Sequence, residues 1–300
     1  MTRVHRNNAP AAPRGDRRRL RLGIVTATAA LAVSVAVPAH AADNADPGFQ
    51  VKLLVDPTKT LGAGGTPLAT ADTAFGLGKA SGVEAAEYLD STSRQLQNQG
   101  WSVRVRHDDN DDEVKETYKK RYAIAGDGTD ADALDDALDQ AADDSFDADE
   151  EDYEAQVDLS YNQATLDFSD DKKADAKGLG SGKLPSAADA RDDVVDDLPG
   201  KLDDLGSKDF AANILAAAHI YGPVVQTNYP GTLAGHTVEL QITPMHGAPG
   251  GSGYWAEISA DAKSLPAAVD LRDDIVDALN SRGWLIPQNA FKTEQILATY

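Results

Sequence analysis

The sequence predicts an α+β fold whose strands build one antiparallel sheet, either open or rolled into a barrel. Three observations predict it. Segments that alternate apolar and polar residues outnumber the amphipathic helical stretches. Several of those strands follow one another with no crossover helix, which a parallel sheet would need. On strand after strand one face is charged and the other is Val, Leu or Ile.

The elements follow in chain order. Residues 1–21 carry seven Arg and a single acid, Asp16, and lead into the apolar run Gly23 to Val37 and then Pro38-Ala39-His40-Ala41. A basic region, a short apolar region and a small-x-small cleavage site predict a signal peptide over 1–41 and a secreted, extracellular product. The mature domain is expected at 42–300, free of the membrane after cleavage. Phe49 to Leu53 alternates as a half-buried strand, and the Gly-rich stretch Gly62 to Gly78 reads as loop. Ser102 to Arg106 and Lys115 to Ile124 alternate next, the first with both arginines opposite its valines. Further strands are expected at Tyr153 to Leu159, Gln163 to Phe168, Val224 to Thr227, Thr237 to Thr243 and Gly253 to Ser259. Helical spacing appears at Ala131 to Ala142, Ala187 to Leu198, Asp209 to Ile220, Leu265 to Asn280 and Lys292 to Ala298. Pro266 at the first turn and Gly283 past the end frame the long one.

Two segments, at about 127–152 and 169–208, read as acidic insertions. Asp127 to Glu154 alone holds 14 acidic residues and no basic one. Solvated surface is the simpler reading of both, and cation buffering the sharper one.

The 300-residue chain has no cysteine, which removes disulfides, Cys-ligated metal and a thiol nucleophile. Its formal charge is −21, and the loss of a leader carrying +6 would take it to −27. Such a chain repels duplex nucleic acid, so no nucleic-acid partner is expected unless a local basic island exists. Acidic loops beginning at Asp108 and Asp147 miss the EF-hand pattern, with Lys119 and Asp158 where its last ligand should stand. The run Gly178 to Lys183 lacks phosphate-loop spacing, and Leu184 stands where Ser or Thr would meet magnesium. Four histidines outside the leader form no His-Glu-x-x-His.

The alternating charged face is the remaining constellation. An open sheet with one wet face gives it without any function. A closed sheet with that face inward would instead place carboxylates and guanidinium groups around a lumen suited to phosphate or cations.

The order of segments is similar to that of the CYTH superfamily, the triphosphate tunnel metalloenzymes. Glu87-Tyr88-Leu89-Asp90-Ser91-Thr92, then Arg94-Gln95-Leu96, then Gly100 to Arg106, resembles that family's tyrosine-leucine-aspartate-threonine segment running into a strand with two alternating arginines. Tyr118 to Arg121 resembles its next basic strand. Tyr254 to Ile258, the helix to Asn280 and Lys292-Thr293-Glu294 resemble its acidic strand, helix and closing lysine. Two features depart from the pattern: the opening Glu-x-Glu-x-Lys appears as Gly48, Gln50 and Lys52, and Val225 to Tyr229 carries no basic residue. The resemblance implies an eight-stranded antiparallel β tunnel with flanking helices. It implies a phosphate-binding set of Lys52, Arg104, Arg106, Lys119, Arg121 and Lys292, and Mg²⁺ or Mn²⁺ held by Glu239 and Glu257. The expected role is binding of a triphosphate or other small polyphosphate. The alternatives are a non-catalytic extracellular binding or structural module, and a residual metal-dependent phosphohydrolase.

Overall fold

The computed structural model describes residues 43–109, 111–175, 179–180 and 182–300. The expected leader at 1–41, and Gly178 and Ser181 of the Gly178 to Lys183 run, lie outside them. Nine strands, β1 Gly48–Leu54, β2 Gly82–Asp90, β3 Trp101–Asp108, β4 Glu113–Ile124, β5 Glu154–Leu159, β6 Ala164–Asp175, β7 His219–Leu233, β8 His236–Pro244 and β9 Tyr254–Ala262, make one sheet. The helices are α1 Pro57–Thr60, α2 Ala69–Phe75, α3 Ala131–Asp143, α4 Ala187–Asp196, α5 Gly200–Asp203, α6 Phe210–Leu215, α7 Leu265–Asn280 and α8 Lys292–Thr299. The fold is α+β, and the sheet closes in the order β1-β5-β6-β4-β3-β2-β7-β8-β9, with β9 returning to β1.

The expected eight antiparallel strands are corrected to nine strands with one parallel seam, where β1 runs beside β5 from Gly48↔Gln156 to Val51↔Leu159. Parity gives the reason. A ring in which every neighbour is antiparallel needs an even number of strands, so an odd ring must contain at least one parallel pair. The ninth strand is β2, whose central residues Ala85, Ala86, Glu87 and Tyr88 show no simple alternation of apolar and polar types.

The barrel is polar inside and apolar outside. Along β3, Trp101, Val103, Val105 and His107 are buried on the outer face, while Ser102, Arg104 and Arg106 face the lumen. α7 covers β1 and β9 with Leu271, Ile275 and Leu279, and starts where the Ser264 hydroxyl caps the Ala267 amide. Gly100 turns the chain into β3 at φ 74°, and a Cβ there would lie 2.9 Å from the Arg121 carbonyl. That carbonyl belongs to a residue of the lumen wall, so the bare glycine lets β3 and β4 approach at the site.

Several segments differ from expectation for tertiary reasons. The helix expected at Asp209 to Ile220 stops at Leu215, because Ile220 pairs with Leu89 in the barrel. Within the expected loop 62–78, α2 forms with Ala71 and Phe75 fully buried. Residues 169–175 of the second acidic segment continue β6 in register with β4. In the first, α3 buries Leu134, Ala137, Leu138 and Ala141, and the following Phe146 joins the rings of Trp101, Tyr122, Tyr153 and Phe168.

Candidate functional site

The lumen is a cavity of about 420 Å³. Lys52 reaches it from β1, Arg104 and Arg106 from β3, Lys119 and Arg121 from β4, Glu239 from β8, Glu257 from β9 and Lys292 from the start of α8. All eight residues singled out in the sequence therefore face one space. For the seven on strands the cause is the strand period of two, since closure turns the charged alternate positions inward, while Lys292 enters from α8.

The six basic groups are not bare. Glu84, Glu154, Asp158 and Asp171 face the same lumen with the two glutamates already named, and Asp167 lies fully buried between Lys119 and Arg121. Arg121 grips Asp167 with two bonds of 2.9 and 3.0 Å, and Lys119 adds one of 3.1 Å. Burial alone would push the Asp167 carboxyl up, but Lys119 and Arg121 more than offset it and hold the group well below the usual carboxylate range. Lys52 pairs with Asp158; burial opposes its charge, yet Asp158 and Glu257 hold its pKa above the ordinary value. Arg106 contacts Asp171 at 2.8 Å and Glu84 at 3.5 Å, while its buried Nε has no partner.

One end of the lumen is different. Among the described residues Arg104 is the member of the six without a carboxylate within 4.0 Å. Its guanidinium donates to the Thr117 hydroxyl at 3.4 Å, and the buried Tyr88 stands directly opposite it across β2 and β3. Lys292 donates to the amide oxygens of Gln226 and Gln241, with Glu257 4.0 Å away. Both cations act on Tyr88: burial would raise its hydroxyl, but Arg104, a bond from Thr293 and Lys292 leave it below the ordinary tyrosine value. An anion placed here meets positive groups whose partners are mostly neutral.

The metal donors are sparser. Among the described residues no three His, Asp or Glu side chains stand close enough to hold a metal ion. Glu239 accepts from Gln241 at 2.8 Å and Glu257 from the Trp255 indole at 3.2 Å. The opening strand offers an amide, Gln50, which donates to Asp261 at 2.8 Å. Magnesium usually keeps several waters and is bound through one or two carboxylates together with phosphate oxygens. The donor set thus makes no all-protein cage among the described residues, and Glu239 and Glu257 are the carboxylates that would hold Mg²⁺ or Mn²⁺ together with a phosphate ligand.

Sequence reasoning missed Asp167 and Tyr88 as members of the site. A signal existed for the first: Thr165, Asp167, Ser169 and Asp171 alternate against Ala164, Leu166 and Phe168, so the polar face of β6 was open to reading. Tyr88 carries no charge to mark it, and only the Arg104 rung of β3 opposite reveals its place.

No family model matches the chain, and no curated protein matches it. Solved structures are similar in fold. HpAC1 of Hippeastrum, a candidate adenylyl cyclase described with a dominant triphosphatase activity, is 13% identical, with 83% of this chain and 94% of that one covered at a TM-score of 0.49. A candidate adenylate cyclase from Bacillus halodurans is 10% identical over 83% of this chain and 97% of its own, at 0.46. Another from Vibrio parahaemolyticus is 11% identical over 85% and 100%, at 0.41. These likenesses follow the course of the chain and say nothing of any residue's role.

Proposed function

We propose that this chain is an exported protein that binds a small polyphosphate or organic phosphate inside its barrel, and does so without turning it over. The observation that carries the reading is the convergence of six basic side chains from four separate parts of the sequence on one cavity, one of them, Arg104, with no acid within 4.0 Å. Guanidinium groups suit phosphate because their planar fork makes two charge-assisted hydrogen bonds at once. Gly48 and Gln50, where the resembled pattern opens with two glutamates, support binding over hydrolysis, because a neutral amide lacks the charge a hard cation prefers. The basic, apolar and small-residue order of 1–41 supports export.

Titration calorimetry with orthophosphate, pyrophosphate and tripolyphosphate tests the binding. At least one should bind, and Arg104→Ala or Arg106→Ala should weaken it about 10- to 100-fold, the worth of one charge-assisted contact. Unchanged affinity in both variants would exclude the lumen as the site. Phosphate release from tripolyphosphate in Mg²⁺ or Mn²⁺ tests turnover, and sustained release would replace binding with hydrolysis.

A further inference from the structure

Lys52 is paired with Asp158, and the other five basic groups of the lumen divide into two sets. Lys119 and Arg121 share a single fully buried partner, Asp167, which takes three donated bonds from them. That carboxylate is fixed in place by the barrel ladder, in which Asp167 is the direct partner of Arg121 across β4 and β6. Geometrically it does what a phosphoryl group would do: two oxygens in one plane accept the fork of an arginine and a lysine beside it. To reach Lys119 and Arg121 a ligand would have to displace a carboxylate that cannot leave the lumen and would be stranded without donors, a costly state for a buried charge.

The other set is held less completely. Arg104 has no acid within ion-pair distance, Arg106 pairs with Asp171 and Glu84 but keeps an unpartnered buried Nε, and Lys292 rests chiefly on amide oxygens. Arg104 stands on the rung of Thr117, four residues along β4 from Arg121. At the rise of an extended strand that is roughly 13 Å, so Arg104 and Arg121 grip different stretches of the tunnel, with Lys119 between them.

We infer that Asp167 determines specificity by acting as a built-in anion: it fills the Lys119–Arg121 end and limits the ligand to one or two phosphoryl groups at Arg104, Arg106 and Lys292. This rests on the phosphate-binding reading above. Asp167 is a positioning residue and need not touch the ligand itself.

The test is a chain-length series by titration calorimetry, without divalent cations, on the wild type, Asp167→Asn and Asp167→Glu. In the wild type the third phosphoryl group should add less than about threefold to the affinity for pyrophosphate, because no unpaired cation awaits it. Asp167→Asn frees Lys119 and Arg121, so tripolyphosphate should bind about tenfold tighter or more, with orthophosphate within about twofold. Asp167→Glu should restore the wild-type ranking, an outcome that a purely structural role would not give. Wild-type tripolyphosphate binding about tenfold tighter than pyrophosphate would overturn the inference, as would an Asn variant that shifts all three ligands equally. The wild-type series decides alone if the Asn variant does not fold. Binding of none of the three overturns the phosphate reading itself, and this inference with it, whereas length-independent loss in the variants touches only the role of Asp167.

Discussion

Two buried carboxyls on the outer face of the barrel set its dependence on pH. Glu116 of β4 is fully buried, and burial, with Asp197, Asp193 and Asp196 nearby, pushes its pKa up to about 7 against the opposing bond from Tyr118. Glu87 of β2 is likewise raised to about 7 by burial, opposed by Arg191. The Tyr118 hydroxyl lies 2.9 Å from Glu116 Oε2 and 2.8 Å from the Val194 carbonyl, yet it has one proton to give. A carbonyl can only accept, so a protonated Glu116 that donates to Tyr118 satisfies both contacts. Between the ordinary glutamate value and about 7 the folded chain therefore holds more protons than the unfolded chain, and stability falls as pH rises through that window. Asp167 has the opposite sign: its contribution is present above the ordinary aspartate value and is lost only in stronger acid. Glu116→Gln, which mimics the protonated acid, should add roughly 1–3 kcal/mol at pH 8 and almost nothing at pH 5. Urea unfolding at the two pH values checks this, and an equal effect at both would mean that Glu116 does not titrate in the window.

At the scale of elements, legibility followed periodicity. β1, β3, β5, β8 and β9 stand out because their lumen faces are polar or charged and their outer faces chiefly apolar, a period of two that β4 also shows despite Glu116 and Lys120 on its outer face. β2 escapes because all of its last six positions, Ala85, Ala86, Glu87, Tyr88, Leu89 and Asp90, are buried whichever face they take. Helix α3 shows the reverse error. Its acidity spoke for solvent, but Leu134 and Leu138, one turn apart, bury a stripe against β4 and β6. Leu138→Ala should then cost about 2–4 kcal/mol, as a core truncation does. A loss under about 0.5 kcal/mol, the range of surface changes, would return α3 to a dispensable acidic insertion. Thermal or urea unfolding at pH 6 reads the difference.

At the scale of the whole molecule, the candidate site was legible as a set of charges and illegible as a set of pairs. Strand alternation identified which cations face inward, but nothing local in the sequence says that Asp167 takes two of them or that Arg104 takes none, since those pairings depend on barrel closure and register. The same distinction separates the chain's total charge from its chemistry. The formal charge is −21 overall, and the lumen's six bases face a similar number of acids, so the excess acidity lies outside the lumen. A phosphate approaching from solution meets that negative exterior before it meets Arg104. Over a Debye length of about 10 Å at 0.1 M salt the exterior repels it, while close pairs inside are screened much less. The association rate of pyrophosphate should therefore rise, by roughly threefold or more, as monovalent salt goes from about 10 to 150 mM. A receptor steered by an exposed basic surface shows the opposite slope. Stopped-flow tryptophan fluorescence can follow the step, since the Trp255 indole donates to Glu257 in the lumen wall. A rate that falls with salt over this range would mean that a basic entrance, and not the acidic shell, governs capture.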